Sequence, residues 1–289
     1  MKVDTAVIPV AGVGTRVFPI TTAIEKFMMP IYAGDRSKPI IDFMVTDCAK
    51  AGIKRIIFVT TERGKRQLQD YLEVFNPNLE TQLKELGKTD KLNEEKERRH
   101  KFGLTYEYII QPHGKYGTAY PPYLAREHLK GERQFALMGG DDFVYREDGT
   151  SELLEAIRLW EKTKSDHVIM GNPVTREEGI KYGVLQIDDF GRLVSIDEKP
   201  PIERISSNPV VNISRYLFSE SIWSYLEDEI SKNRGSSEHY ITYPINEALT
   251  SGQTFQVHPV GGVYMDGGSF EGLLKASIYI NGHTWTDDN

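Results

Sequence analysis

The sequence predicts an α/β protein: an open, mixed and mostly parallel sheet flanked by helices, with a smaller antiparallel portion. Three observations carry this reading. Short apolar runs at residues 6–10, 55–60 and 134–138 suit strands buried on both faces. Between the first two, Ile41, Met44, Val45 and Cys48 recur at helical spacing, so strand, helix and strand follow one another as in a right-handed parallel crossover. Beyond residue 176 the texture changes, and KYGVLQIDDFGRLVSIDEKPP reads as two antiparallel strands about a turn at 189–191.

Taken in order, residues 6–30 (AVIPVAGVGTRVFPITTAIEKFMMP) join the first strand to a loop with Gly12 and Gly14, then Arg16 and Lys26. Glycines let main-chain N–H groups approach an anion, and Arg16 offers a planar fork of donors to phosphate oxygens. Two glycines alone equally describe a tight turn. Pro39 suits a helix's first turn, and that helix should stop at Gly52. Residues 79–101 end in KTDKLNEEKERRHK, whose mixed signs describe a solvated helix rather than a nucleic-acid patch. LTYEYIIQ (104–111) is a strand running into PHGKYGTA, with Thr118 as the expected cap of the next helix. Gln111 carries both a donor and an acceptor, which taken alone describes a surface amide more often than a reader of a base edge.

QFALMGGDDFVY (134–145) is a strand, two glycines and two acids, which puts Asp141 and Asp142 at the same sheet edge as the glycine loop. Paired acids there suit Mg2+, which prefers oxygen ligands, although acids also end strands and cap turns. Thr150 or Ser151 should cap a helix with Leu153, Ile157 and Trp160 inward, and HVIMGNPV (167–174) returns to the sheet. A helix capped by Ser219 follows in ESIWSYLEDEI. The strand ending at Asp266, Gly267 and Gly268 leads to a last helix capped by Ser269, with Phe270, Leu273, Leu274 and Ile278 expected inward.

Composition bounds the function. The chain has 289 residues, 39% hydrophobic and 27% charged, with a net charge of −7, which argues against non-specific nucleic-acid binding. No window holds the run of about 18 apolar residues needed to span a membrane, and MKVDTAV has no signal-peptide core, so a cytoplasmic protein with no membrane partner is expected. The single cysteine, Cys48, excludes an internal disulfide and sits in an apolar helical stripe. The seven histidines form no zinc motif.

The run from Gly12 to Pro30 resembles the signature GxGTRxxPxTxxxPKxMxP of sugar-1-phosphate nucleotidyltransferases, in particular bacterial UTP:glucose-1-phosphate uridylyltransferases. Two positions depart from it: Thr22 stands where those enzymes usually carry Lys, and Glu25 replaces Pro before Lys26. Further motifs follow in the family's order. MGGDD matches its strand-end acid motif, with the metal Asp at Asp141 and Asp142 in support. Tyr182, Gly183 and Val184 match its Tyr-Gly-Val, and Glu198, Lys199 and Pro200 its Glu-Lys-Pro. Residues 206–218 are similar to its sugar-side strand, Glu238 and Thr242 to a supporting helix, and Asp266 to its second metal carboxylate.

The resemblance implies a Rossmann-like nucleotidyltransferase domain at 1–281, with a nucleotide part about 1–175, a sugar part about 176–265, a closing helix at 269–281 and a polar tail at 282–289. It implies Mg2+ held by Asp141 and Asp266, and catalytic cations Arg16, Lys26 and Lys199. It assigns Ala11, Gly12, Gly14, Thr15, Gln111 and Gly117 to the nucleotide, and Gly183, Glu198 and Asn212 to the sugar. Its partners would be a nucleoside triphosphate and a sugar 1-phosphate, in a homo-oligomer, dimer or tetramer. UTP and glucose 1-phosphate lead as substrates. A dTTP-dependent thymidylyltransferase is the alternative suggested by the short Gln111–Gly117 spacing, and a catalytically inactive nucleotide-sugar-binding regulator is the alternative suggested by Thr22 and Glu25.

Overall fold

A computed structural model describes residues 2–34, 36–232 and 238–284. In chain order the elements are β1 (Thr5–Pro9), β2 (Pro30–Ala33), β3 (Arg36–Pro39), α1 (Ile40–Lys50), β4 (Arg55–Thr60), α2 (Glu62–Leu72), α3 (Pro77–Glu85), α4 (Thr89–Lys101), β5 (Thr105–Ile110), α5 (Tyr120–Ala125), β6 (Gln134–Met138) and β7 (Asp142–Tyr145). Then come α6 (Glu152–Thr163), β8 (His167–Pro173), α7 (Arg176–Gly179), β9 (Gly183–Ile187), β10 (Leu193–Glu198), β11 (Val210–Ser219), α8 (Ile222–Ser231), α9 (Thr242–Thr250), β12 (Phe255–Pro259), β13 (Val263–Asp266) and α10 (Phe270–Thr284).

The central sheet runs β10-β9-β11-β6-β1-β4-β5, with β8 on the other edge of β11 and β12 beyond it. Strands β6, β1, β4 and β5 are parallel, and β11 is antiparallel to its neighbours. Alternate residues of the parallel strands serve two cores, as strands covered on both faces require. Ala6, Ile8, Ile56 and Phe58 pack with α1, α6 and α10. Val7, Ile57, Val59 and Leu137 pack with α5, α8 and α9. The antiparallel portion is a continuation of this sheet: β9 and β6 both pair with the same edge of β11, on either side of a register break between Asn212 and Arg215. Small two-stranded sheets, β13-β7 and β2-β3, stand beside it.

Several local expectations change. The charged stretch forms two helices separated at Gly87, whose φ is +66°. It is only partly solvated: Leu92 is buried, and Arg98 donates to the Tyr71 carbonyl at 2.7 Å and pairs with buried Asp42 at 3.4 Å. Thr118 does not cap a helix, because its hydroxyl accepts the Ile241 amide at 2.9 Å. Ser221, not Ser219, precedes α8, and the two hydroxyls bond to each other. Ser151 caps α6 through the Leu154 amide. In α10 the inward face is Leu273, Ala276 and Ile280, while Phe270, Leu274 and Ile278 are exposed. That helix continues through Gly282, His283 and Thr284, which were expected in the tail; the rest of the tail lies outside the described residues. Among the described residues, no helix is long and apolar enough to cross a membrane.

Candidate active site

Parallel pairing aligns the carboxyl ends of β1 and β6, where open α/β sheets place their ligands. The loop after β1 turns at Gly14, whose φ of +68° suits glycine. A side chain there would press on Thr21 Cγ2 at 3.0 Å and Lys26 Cβ at 3.3 Å. Thr21 Oγ1 donates to the Gly14 carbonyl at 3.1 Å, so the loop is folded back on residues 21–26. After β6, Gly140 lies so close to Pro9 that a Cβ would overlap the Pro9 carbonyl. That contact brings Asp141 beside the glycine loop.

Asp141 accepts an ion pair from Lys26 Nζ. The Arg16 guanidinium stands 3.8 Å from Asp141 Oδ2 and 3.8 Å from Asp266 Oδ2, so the two carboxylates face one cation. Asp266 ends β13, and its Oδ1 accepts the Gly268 amide at 2.7 Å. A Cβ at Gly268 would reach the tips of the Arg16 and Asp266 side chains and force them to shift. Among the described residues, no group of three or more His, Cys, Asp and Glu side chains is placed to hold a metal. Two partly exposed carboxylates, at 43% and 31%, nevertheless fit Mg2+, which commonly binds one or two protein carboxylates plus water and substrate phosphates.

Asp142, next in the chain, points the other way into the protein. Its carboxylate accepts Arg215 at 3.0 Å and the Tyr264 hydroxyl at 3.0 Å. Burial pushes its carboxyl up to about 7 against the opposing pull of Arg215. Asp142 is also the backbone partner of Asp266 in the β7-β13 pair, so the two strands carry Asp141 and Asp266 to the same place. Glu152 anchors the turn before β13, accepting His258, Arg146 and the amides of Gly261 and Gly262. Burial opposes its ionisation, but these donors outweigh it and lower Glu152 to about 2.

A second cluster lies across the break in β11. Gly183 faces Glu198 in the β9-β10 register, and a Cβ on Gly183 would stand 3.0 Å from Glu198 Oε2 and 3.8 Å from Asn212 Cβ. Asn212 Nδ2 donates to the Tyr216 hydroxyl at 2.7 Å, while its Oδ1 accepts the Ser214 amide at 3.0 Å. Lys199 is exposed at φ +44°, with its amide held by the Tyr182 carbonyl at 3.0 Å. Burial, then the Asp266 carboxylate, push the Tyr182 phenol up, which relates this cluster to the acids. Beside Lys26 and Asp141 lies a cavity of about 340 Å3. Residues of the β1 loop, residues 116–118, Gly139, Gly140 and Asp141 line it, and Ser214, Tyr216 and Ile241 complete its wall.

The nucleotidyl transferase family matches residues 5–281. The chain belongs to this family. It is similar to the UTP-glucose-1-phosphate uridylyltransferase of Bacillus subtilis, 35% identical over 232 residues, which are 79% of this chain and 75% of that protein. It also resembles the UTP-bound UGPase of Acinetobacter baumannii, at 26% identity and a TM-score of 0.83, over 96% of this chain and 93% of that one. A UDP-glucose pyrophosphorylase complexed with UDP-glucose is similar at 27% identity and a TM-score of 0.78, over 97% of this chain and 99% of the other. The protein is a nucleotidyltransferase enzyme.

In this nucleotidyltransferase, Ala11, Gly12, Gly14, Lys26, Gln111, Gly117 and Asp141 line the cavity. Thr15 does not line it and instead opens a short 3-10 turn. Arg16, Asp266 and Lys199 lie outside the lining, as do Gly183, Glu198 and Asn212. Gln111 donates to the Lys115 carbonyl at 2.7 Å. Gly117, at φ +94°, is packed on the His239 main chain, so its missing side chain is already required by the protein. The sequence reading missed Tyr116, Ser214 and Tyr216 as cavity residues. Ser214, at φ +55°, carries no mark in sequence because its conformation comes from the break in β11. The doubled glycine before Asp141 was the available signal for Gly140.

Proposed function

We propose that this nucleotidyltransferase forms UDP-glucose and pyrophosphate from UTP and glucose 1-phosphate. The reading rests chiefly on Arg16, 3.8 Å from both Asp141 and Asp266, beside a cavity reached by the glycine loop. Support for the substrates comes from the relatives: one is named for UTP and glucose 1-phosphate, one is UTP-bound, and one is complexed with UDP-glucose.

In the proposed reaction a phosphate oxygen of glucose 1-phosphate attacks the α-phosphorus of UTP. A new P–O bond forms, the bond to the β-phosphate bridge breaks, and pyrophosphate leaves with the electron pair. The attacking phosphate is anionic at neutral pH, so the protein needs no nucleophile of its own; its work is alignment and charge compensation. Asp141 and Asp266 would hold Mg2+, which supplies positive charge to phosphate oxygens. Arg16 and Lys26 steady the triphosphate and the charge that develops on the departing oxygens. Ala11, Gly12, Gly14, Gln111 and Gly117 receive the nucleotide. Gly183 leaves room for the sugar, Glu198 and Asn212 accept and donate to its hydroxyls, and Lys199 neutralises its phosphate.

The test is pyrophosphate release from UTP, dTTP, CTP, ATP and GTP, each with glucose 1-phosphate and Mg2+. UTP should give the fastest turnover. Faster turnover with dTTP would replace this substrate choice, and silence in every mixture with retained UDP-glucose binding would make the chain a regulator.

A further inference from the structure

Glu25, the departure from the family signature immediately before Lys26, is not an idle surface substitution. Its side chain is 6% exposed, and Oε1 accepts Thr61 Oγ1 at 2.8 Å and Arg63 Nε at 3.0 Å. Its amide donates to Gln67 Oε1 at 2.9 Å. The rest of the Arg63 fork reaches main chain of the same segment, donating to the Thr22 carbonyl at 2.8 Å and the Thr21 carbonyl at 2.9 Å. Thr61 also caps α2 by accepting the Gly64 amide at 2.9 Å. The first turns of α2 therefore grip residues 21–25 at several points.

We propose that this Glu25–Arg63 clamp positions Lys26, and with it the turn at Gly14, for the triphosphate; the inference rests on the function proposed above. The residue after Glu25 is Lys26, only 12% exposed at its side chain and paired with Asp141. At the other end of the gripped segment, Thr21 bonds to the Gly14 carbonyl. A lysine has a flexible stem and a point charge, so its placement depends on a fixed backbone. In the family signature a proline precedes this lysine, and its ring would fix φ near −65°. Glu25 sits at φ −71° and is held there by its carboxylate and by an N–H that proline lacks. The clamp thus does with side-chain bonds what a ring does elsewhere, and it ties the phosphate loop to α2. Glu25 and Arg63 are positioning residues, acting through Lys26.

The test measures kcat/KM for UTP and calorimetric UTP–Mg2+ affinity in Glu25→Ala and Arg63→Ala, alone and combined with Lys26→Ala. Each clamp variant should lose about tenfold or more in both quantities, since a displacement of about 1 Å in a positioning contact can cost about a hundredfold. With Lys26→Ala already present, the same changes should add less than about twofold, because residues acting as one unit are not additive. Unaltered kcat/KM in a folded Glu25→Ala protein, or full additivity with Lys26→Ala, overturns the clamp. Should Glu25→Ala fail to fold, Arg63→Ala removes the other half of the clamp, and wild-type kcat/KM in that variant overturns the clamp while a loss carries it. An inactive wild-type protein overturns the substrate assignment alone, and the affinity measurements then decide the clamp.

Discussion

The two ends of the site are built differently. At the proposed nucleotide end, parallel strands stop together and backbone approaches backbone, with Gly140 against Pro9 and Gly117 against His239. At the other end, a strand broken between Asn212 and Arg215 lets β9 and β6 share one edge of β11, and Asn212 bonds to Tyr216 and Ser214 at the break. The main-chain contacts of the first end depend on missing side chains, whereas the second sets the Glu198 and Asn212 side chains around a single such glycine, Gly183. Substitutions should therefore fail in opposite ways: added atoms damage the first end, and removed functional groups damage the second.

Gly140→Ala gives the largest expected effect of the substitutions that probe this contrast. Its Cβ meets main chain rather than a yielding side chain. Overpacking of this kind costs about 3 kcal/mol. Urea unfolding should show the loss, and an undisturbed midpoint would mean that the two loops can separate freely.

Acid should weaken the β8-β11-β12 side. Burial lowers His167 to about 4, so it is neutral in the folded protein while the unfolded chain takes up a proton near pH 6.5. The folded form's advantage is present above pH 6.5 and is lost as pH falls toward 4, by up to about 3 kcal/mol. His167→Gln should flatten this part of the pH–stability curve. An equally steep curve in the variant would assign the acid sensitivity to another group.

Glu198→Gln should act more mildly and on one substrate. The amide keeps an acceptor and loses a charge, so KM for glucose 1-phosphate should rise about tenfold, or about 1.4 kcal/mol. KM for UTP should stay as it is. Equal rises for both substrates would erase the proposed division between the two ends.

The same division decided what was legible in the sequence. Strand ends rich in glycine and acid marked the cavity at the ends of β1 and β6, because close backbone approach demands glycine and strand ends expose acids. Asp142 was read as a supporting acid, and it is found buried on Arg215 and Tyr264. The break in β11 was not legible, since nothing about Ser214 marks a left-handed residue. Nor was the facing of α10: Phe270, Leu274 and Ile278 form one apolar stripe, Leu273, Ala276 and Ile280 another, and periodicity alone does not say which meets the core. Arg98 looked solvent-facing because a charged run does not reveal a buried partner such as Asp42.

The central claim is that Asp141 and Asp266 act on one Mg2+ ion, and a double-mutant cycle tests it directly. Turnover would be followed against Mg2+ concentration for Asp141→Asn, Asp266→Asn and the combined variant. Each single change should lower kcat about a hundredfold or more and raise the Mg2+ requirement. The combined loss should fall well short of the product of the two, as expected for ligands of one ion. Wild-type turnover in either single variant, or losses that multiply in full, would contradict the shared ion.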